Sequence, residues 1–254
     1  MIPVLDLKDG QLVLASRGRR EGYAPLQRSA LLPVSPARDL SPVALARAFH
    51  DRLGCNEWYV ADLDAIGGAA PQRPLVRALA ALGGRLLVDA GVSTPARARE
   101  TLADGGGAGS SARVVVGLET LPSFAALDDV ARAVGPEQLV FSLDLREGKP
   151  VVARGAPHRG APLELASAAV EGARVAAILM LDLARVGSGL GVHLDLVAAL
   201  RHAHPGIELL AGGGIGSARD LDRLADAGCD GALVATALHD GRLAKEHIEA
   251  VRRR

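Results

Sequence analysis

Two aspartates in this sequence stand where proton transfer would need them. Asp6 and Asp144 each end an apolar run and precede a turn that contains glycine, Lys8-Asp9-Gly10 in one case and Arg146-Glu147-Gly148 in the other. A carboxylate at the end of a buried strand is costly unless it is solvated or used. Two carboxylates on opposite sides of a substrate can divide proton transfer, one accepting and one donating, provided that their surroundings separate their pKa values. That division of labour suits an isomerisation and needs no metal and no cofactor. The plainer reading, in which both carboxylates only cap the loops that follow, is weakened by their symmetric placement.

A second constellation points to an anion. Gly212-Gly213-Gly214-Ile215-Gly216-Ser217 follows an apolar run and opens a helical segment. Glycines let backbone approach a phosphate closely, and the N–H groups of the loop and helix start point toward it. Ala235-Thr236, with the segment Ala237–Gly241, would complete a phosphate site made of Gly212, Gly213, Gly214, Ala235 and Thr236. Asp62, Asp89 and Asp182 end other apolar runs and are expected to line the same mouth. Arg185, in a glycine-rich loop after Asp182, either pairs with a second anion or lies in solvent. Arg17, Arg19 and Arg20, with Tyr23 after them, stand in a long loop behind Asp6 that either clamps an anion or is a basic solvated loop. Of the seven histidines only His202 and His204 stand two apart, none shows HExxH spacing, and none receives a ligand role.

Short runs rich in Val, Ile and Leu alternate along the chain with longer segments of helical apolar spacing, the pattern of βα units on a parallel sheet. Eight units are predicted, with strands at Ile2–Asp6, Glu57–Ala61, Arg85–Asp89, Arg113–Gly117, Gln138–Ser142, Ala176–Leu181, Ile207–Ala211 and Gly231–Ala235. Ser41-Pro42, Thr94-Pro95 and Ser217 supply N-cap chemistry for the first, third and seventh helices. The Gly- and Ser-rich stretch Gly105–Ser111 falls between the third helix and the fourth strand and is read as a loop.

The order of strand ends recurs. Leu5-Asp6-Leu7-Lys8-Asp9-Gly10 returns as Leu143-Asp144-Leu145-Arg146-Glu147-Gly148, and Asp62-Leu63-Asp64-Ala65-Ile66-Gly67 is echoed by Asp182-Leu183-Ala184-Arg185-Val186-Gly187. Asp89-Ala90-Gly91-Val92 is echoed by Gly212-Gly213-Gly214-Ile215, and Val116-Gly117-Leu118 by Val234-Ala235-Thr236. Such a repeat predicts one α/β domain over residues 1–254, a single (β/α)8 TIM barrel built from half-barrels at approximately 1–135 and 136–254. The first and fifth strands would then face each other. The active site of such a barrel lies at the C-terminal rim, and its phosphate site typically uses the loops after strands seven and eight.

Bulk composition agrees. At 254 residues the chain has the length of one such barrel. Its residues are 49% apolar and only 2% aromatic, so the core must be aliphatic. Lys plus Arg and Asp plus Glu both number 29, so no global field would draw the protein to nucleic acid or an anionic membrane. Cys55 and Cys229 have no zinc or disulfide spacing and are read as small buried residues. No signal peptide or membrane-length apolar run is apparent, so a cytoplasmic location is expected.

Met1-Ile2-Pro3-Val4-Leu5-Asp6-Leu7-Lys8-Asp9-Gly10, Val60-Ala61-Asp62-Leu63-Asp64, Ser142-Leu143-Asp144, Asp182 through Gly191 and Gly212-Gly213-Gly214-Ile215 together resemble the family of histidine-biosynthesis barrels that contains a ribotide isomerase and imidazole glycerol phosphate cyclase. The likeness covers the whole chain. It implies that Asp6 and Asp144 are the catalytic acid and base. Arg17-Gly18-Arg19-Arg20 with Tyr23, and Gly117-Leu118-Glu119-Thr120-Leu121, are similar to the isomerase-related branch of methanogens and methylotrophs.

Three positions depart from the family pattern. Its histidine isomerase has a catalytic threonine where this chain has Leu181, and a glycine triplet for a second phosphate where this chain has Asp89-Ala90-Gly91, whose carboxylate would repel that group. Its cyclase has a lysine where this chain has Leu14. The resemblance and the departures together imply Amadori-type ring opening of a ribosyl 5-phosphate with one phosphate, Asp6 acting as base and Asp144 as acid. The implied pathway is tetrahydromethanopterin biosynthesis, where a ribofuranosyl group on an aminophenyl ring is opened. The alternatives are the histidine-pathway isomerase itself and a noncatalytic phosphate-ligand binding protein.

Overall fold

A computed structural model describes residues 1–14, 22–32, 40–107, 110–188 and 191–252. The eight aliphatic runs become eight parallel strands, β1 (Ile2–Lys8), β2 (Glu57–Asp62), β3 (Arg85–Asp89), β4 (Arg113–Gly117), β5 (Leu139–Arg146), β6 (Ala177–Asp182), β7 (Glu208–Gly212) and β8 (Gly231–Val234). Strands with both faces covered read as continuous apolar runs, which is why these segments lack strict alternation. Each strand pairs with the next in sequence, and Ile2 and Pro3 of β1 pair with Leu233 and Val234 of β8, closing the sheet into a barrel.

Around it lie α1 (Pro42–Leu53), α2 (Arg73–Ala80), α3 (Pro95–Asp104), α4 (Phe124–Val134), α5 (Pro162–Glu171), α6 (Leu194–Ala203), α7 (Ala218–Asp226) and α8 (Lys245–Arg252). The architecture is the expected (β/α)8 barrel. The three hydroxyl caps hold as well: Ser41 Oγ accepts from Ala44 N–H at 3.1 Å, Thr94 Oγ1 from Arg97 N–H at 3.4 Å and Ser217 Oγ from Asp220 N–H at 3.3 Å. Among the described residues no helix is long and apolar enough to cross a membrane.

Two cores follow from the two faces of each strand. One fills the barrel interior with residues such as Leu87, Val115, Val140, Leu179 and Leu210. The other, larger, lies between strands and helices and includes Leu5, Leu7, Leu143 and Leu145. At the N-terminal end of the barrel Arg113 is buried between Glu57 and Glu208. Cys55 is buried as expected, whereas Cys229 is only half-buried; both are free.

The structure departs from expectation where it matters most. β1 and β5 run past their aspartates because each continues into a two-residue hairpin. Leu7 pairs with Leu12 and Lys8 with Gln11, while Leu145 pairs with Pro150 and Arg146 with Lys149. The turn residues Asp9 (φ 50°) and Gly10 (φ 76°) match Glu147 (φ 55°) and Gly148 (φ 76°). Positive φ at both central positions is the type I′ geometry that suits the twist of a hairpin. Asp6 and Asp144 are therefore held inside paired strand, with neighbours on both sides, and not at a frayed end.

Candidate active site

One cavity opens at the C-terminal ends of the strands, and Asp6, Asp89, Asp144, Gly213, Gly214, Ala235 and Thr236 all line it. The strand period explains the convergence. Val4 and Val140 point into the barrel, so two and four residues further on Asp6 and Asp144 point the same way. β1 and β5 lie four strands apart in a closed ring of eight, so the two aspartates approach from opposite sides.

Asp144 is buried. Ser142 Oγ donates to its Oδ1 at 2.6 Å and the Glu119 N–H donates to Oδ2 at 3.0 Å. Burial, followed by the like charge of Glu119, pushes its carboxyl well above the usual carboxylate range, against the pull of those two hydrogen bonds. Gly117 makes room for this side chain, since a Cβ there would lie 2.9 Å from Asp144 Oδ2. Asp6 is half-buried. Asp89, at the end of β3, accepts from the Tyr59 hydroxyl at 2.9 Å and the Gly91 N–H at 3.3 Å, and burial pushes its carboxyl up to about 6. The Tyr59 hydroxyl is in turn pushed well above its ordinary value, first by burial and then by Asp89.

The opposite wall is built from backbone. Gly213 (φ 94°) and Gly214 (φ 84°) adopt left-handed conformations that favour glycine. A Cβ on Gly213 would lie 2.4 Å from the Asp182 carbonyl oxygen, and one on Gly214 would lie 2.9 Å from that of Gly191. The loop after β6 thus packs directly under the glycines. Gly212 lies lower, between Leu181 and Leu233, and is not among the lining residues. Two N–H groups just before α7, those of Gly216 and Ser217, are already taken within the chain. Asp220 Oδ2 accepts from Gly216 N–H and Ser217 N–H, both at 3.0 Å, in a capping box. Arg242 is the one basic side chain among the described residues that line the cavity. Asp240 holds its guanidinium at 2.7 Å, and its Nη1 donates to the Gly216 carbonyl at 3.3 Å.

Three residues predicted to line the mouth lie elsewhere. Asp62 and Asp182 are fully buried and point outward, because Ala61 and Leu181 before them take the inward positions. Asp62 accepts from Ala65 N–H at 3.1 Å and Gln72 N–H at 2.6 Å; Asp182 accepts from Ala184 N–H at 3.0 Å and faces His193 Nε2 at 2.7 Å. Arg185 follows neither sequence reading: its Nη1 donates to the Gly191 carbonyl at 3.0 Å and its Nε stands 3.5 Å from Asp182. Arg17, Arg19 and Arg20 lie outside the described residues, while Tyr23 lines the cavity.

The sequence reading assigned no site role to Tyr59, Glu119 or Arg242. Counting in twos from Ala61 along β2 would have found Tyr59. Glu119 and Arg242 sit outside regular structure, where no period points to them. Among the described residues no group of His, Cys, Asp and Glu could hold a metal ion.

Residues 1–244 match the model of the family described as histidine biosynthesis protein. The chain belongs to that family. It is 34% identical to a protein of Thermus thermophilus over 248 residues, which cover 96% of this chain and 95% of the relative. Relatives from Sorangium cellulosum and Hyphomonas neptunium are 31% and 30% identical, each match covering 98% of both chains. All three family members are named 1-(5-phosphoribosyl)-5-((5-phosphoribosylamino)methylideneamino) imidazole-4-carboxamide isomerase.

Proposed function

We propose that this protein is an aldose-ketose isomerase that opens the ribose of an N-(5-phosphoribosyl) amine, a reading supported by the isomerase name of its relatives. The observation that carries the reading is the pair Asp6 and Asp144 on opposite strands of one cavity, with Asp144, like Asp89, having a clear reason in burial to hold a proton. Asp144 then serves as the acid. It protonates the ring oxygen as the bond from that oxygen to C1 breaks, leaving an iminium between C1 and the amine nitrogen. Asp6 removes the C2 proton, and the resulting enol-amine takes up a proton at C1 and gives up its C2 hydroxyl proton, leaving a 1-amino-1-deoxy-ketose with no net change in redox state. Gly213, Gly214, Ala235 and Thr236 would hold the phosphate, with Gly212 supporting them from β7. That anchor is remote from the chemistry, so its binding energy can be used to orient the reacting atoms.

The relatives support the histidine-pathway substrate over the tetrahydromethanopterin precursor that the departures at Leu181 and Asp89 suggested. Asp89, which accepts from the Tyr59 hydroxyl and is raised by burial to about 6, would repel a second phosphate less only in mildly acidic solution. Leu181 lines the cavity without a polar atom, so catalysis here would rest on the two aspartates alone.

Purified protein supplied with the relatives' substrate should form the ketose and place solvent deuterium at C1 of that product. The gene should also restore growth of a histidine auxotroph that lacks this isomerase. Tight binding of the substrate with neither turnover nor deuterium exchange would instead support the noncatalytic binding protein.

A further inference from the structure

We infer that Gln72 and His193 are positioning residues at corresponding corners, each forming a latch that holds the buried carboxylate of one strand against the hairpin behind the catalytic aspartate of the strand before it. Its catalytic consequence rests on the isomerase reading above; the latch itself does not.

In the first corner, Gln72 lies 10 residues after Asp62 and donates its Nε2 to Asp62 Oδ1 at 3.2 Å. Its Oε1 accepts the N–H of Gly10, the second turn residue of the β1 hairpin, at 2.8 Å. One amide side chain therefore bridges the hairpin and the buried carboxylate. In the second corner, His193 lies 11 residues after Asp182 and places Nε2 at 2.7 Å from Asp182 Oδ2. The other oxygen, Oδ1, faces the N–H of Glu147, the first turn residue of the β5 hairpin, at 3.4 Å. The imidazole packs on the turn itself, since a Cβ on Gly148 would lie 3.5 Å from its Cε1. An acceptor-only carboxylate requires that Nε2 carry the proton.

Both carboxylates are fully buried, so each needs partners with good geometry. Gln72 and His193 supply them from chain that returns to the same place on the rim. The constraint reaches the reacting groups through backbone. Asp6 pairs with Val13 across the first hairpin, and Val151 N–H donates to the carbonyl of Asp144 at 2.8 Å across the second. A hairpin that rocks would carry its aspartate with it, and small misplacements of a catalytic group cost rate steeply.

Geometry singles out the test. Glutamine places its amide nitrogen where a histidine has Nε2, whereas asparagine reaches only the position of Nδ1. His193→Gln imports the solution used by the first corner and should keep kcat within about twofold of wild type, while His193→Asn should lower kcat about tenfold with KM little changed. Amide hydrogen exchange supplies a readout free of activity: His193→Asn should speed exchange at residues 145–150 and leave 7–12 unchanged, and Gln72→Asn should do the reverse. Wild-type exchange at 145–150 in His193→Asn, or a glutamine variant as defective as the asparagine one, would overturn the latch. Absence of turnover in the wild type would instead overturn the isomerase reading, with the exchange pattern still deciding the latch.

Discussion

The two walls of the cavity are made in different ways. Along β3 to β5 the wall is side chains, Asp89, Glu119 and Asp144, and burial followed by neighbouring groups sets the protonation of Asp89 and Asp144. Along β7 and β8 it is mostly backbone, Gly213, Gly214 and Ala235, set by positive φ at the two glycines and by close packing on the β6 loop. The first wall can exchange protons and must respond to pH. The second presents fixed dipoles that pH does not alter, and it tolerates no added atom. On the proposed reading the acid, Asp144, stands across the cavity from the phosphate anchor, while the base, Asp6, stands on β1 beside β8.

The sharpest break of this contrast is on the acidic wall. Asp144→Asn keeps the shape and removes the proton donor, so kcat should fall by roughly a thousandfold with KM within a few-fold, as steady-state kinetics would read. Equal losses in kcat and in ligand affinity would mean that Asp144 binds substrate without moving a proton. On the backbone wall, Gly213→Ala forces a left-handed alanine and a Cβ 2.4 Å from the Asp182 carbonyl oxygen. A loss of about 2–4 kcal/mol in urea unfolding, together with at least a tenfold rise in KM, is expected. An unchanged KM would show that the glycines serve packing alone.

Asp89 offers a pH test of the first wall. In the folded chain it keeps its proton up to about pH 6, whereas an unfolded chain releases it near the ordinary 3.8. The folded state binds the extra proton, so this contribution is complete below about pH 4 and is lost as pH rises through 6. Asp89→Asn should therefore stabilise the protein at pH 8, by up to about 3 kcal/mol, with the gain disappearing below pH 4. Thermal melts across that range would show it, and a gain independent of pH would contradict the assignment.

The smallest effect belongs to Glu119, whose charge helps to raise Asp144. Glu119→Gln should move the alkaline limb of the pH-rate profile to lower pH, because the acid then loses its proton sooner. A shift to higher pH would assign the limb to another group.

Much of this was legible without coordinates. Aliphatic runs that must be buried on both faces can only be central strands, and eight of them alternating with capped amphipathic segments leave few arrangements besides a barrel. The recurrence of Asp6 and its glycine turn at Asp144 identified the facing pair. Asp62 and Asp182 show where that reading stops. A strand-terminal aspartate reads the same in one dimension whether it faces the mouth or the helices, and a shift of one residue reverses the choice. The residue before each of them decided it, and only pairing between strands set which parity points inward. Arg242 enters the cavity from a turn after β8 and Asp220 occupies the start of α7; both follow from how separate segments pack.

Local pattern by itself determined the strands, the caps, a glycine turn behind each of the two central aspartates and those aspartates themselves, because backbone propensity and burial act over a few residues. Tertiary structure alone decided which carboxylates share the cavity, which become buried latching points, and how far burial raises Asp89 and Asp144, because desolvation depends on everything that closes around a group and not on its neighbours in sequence.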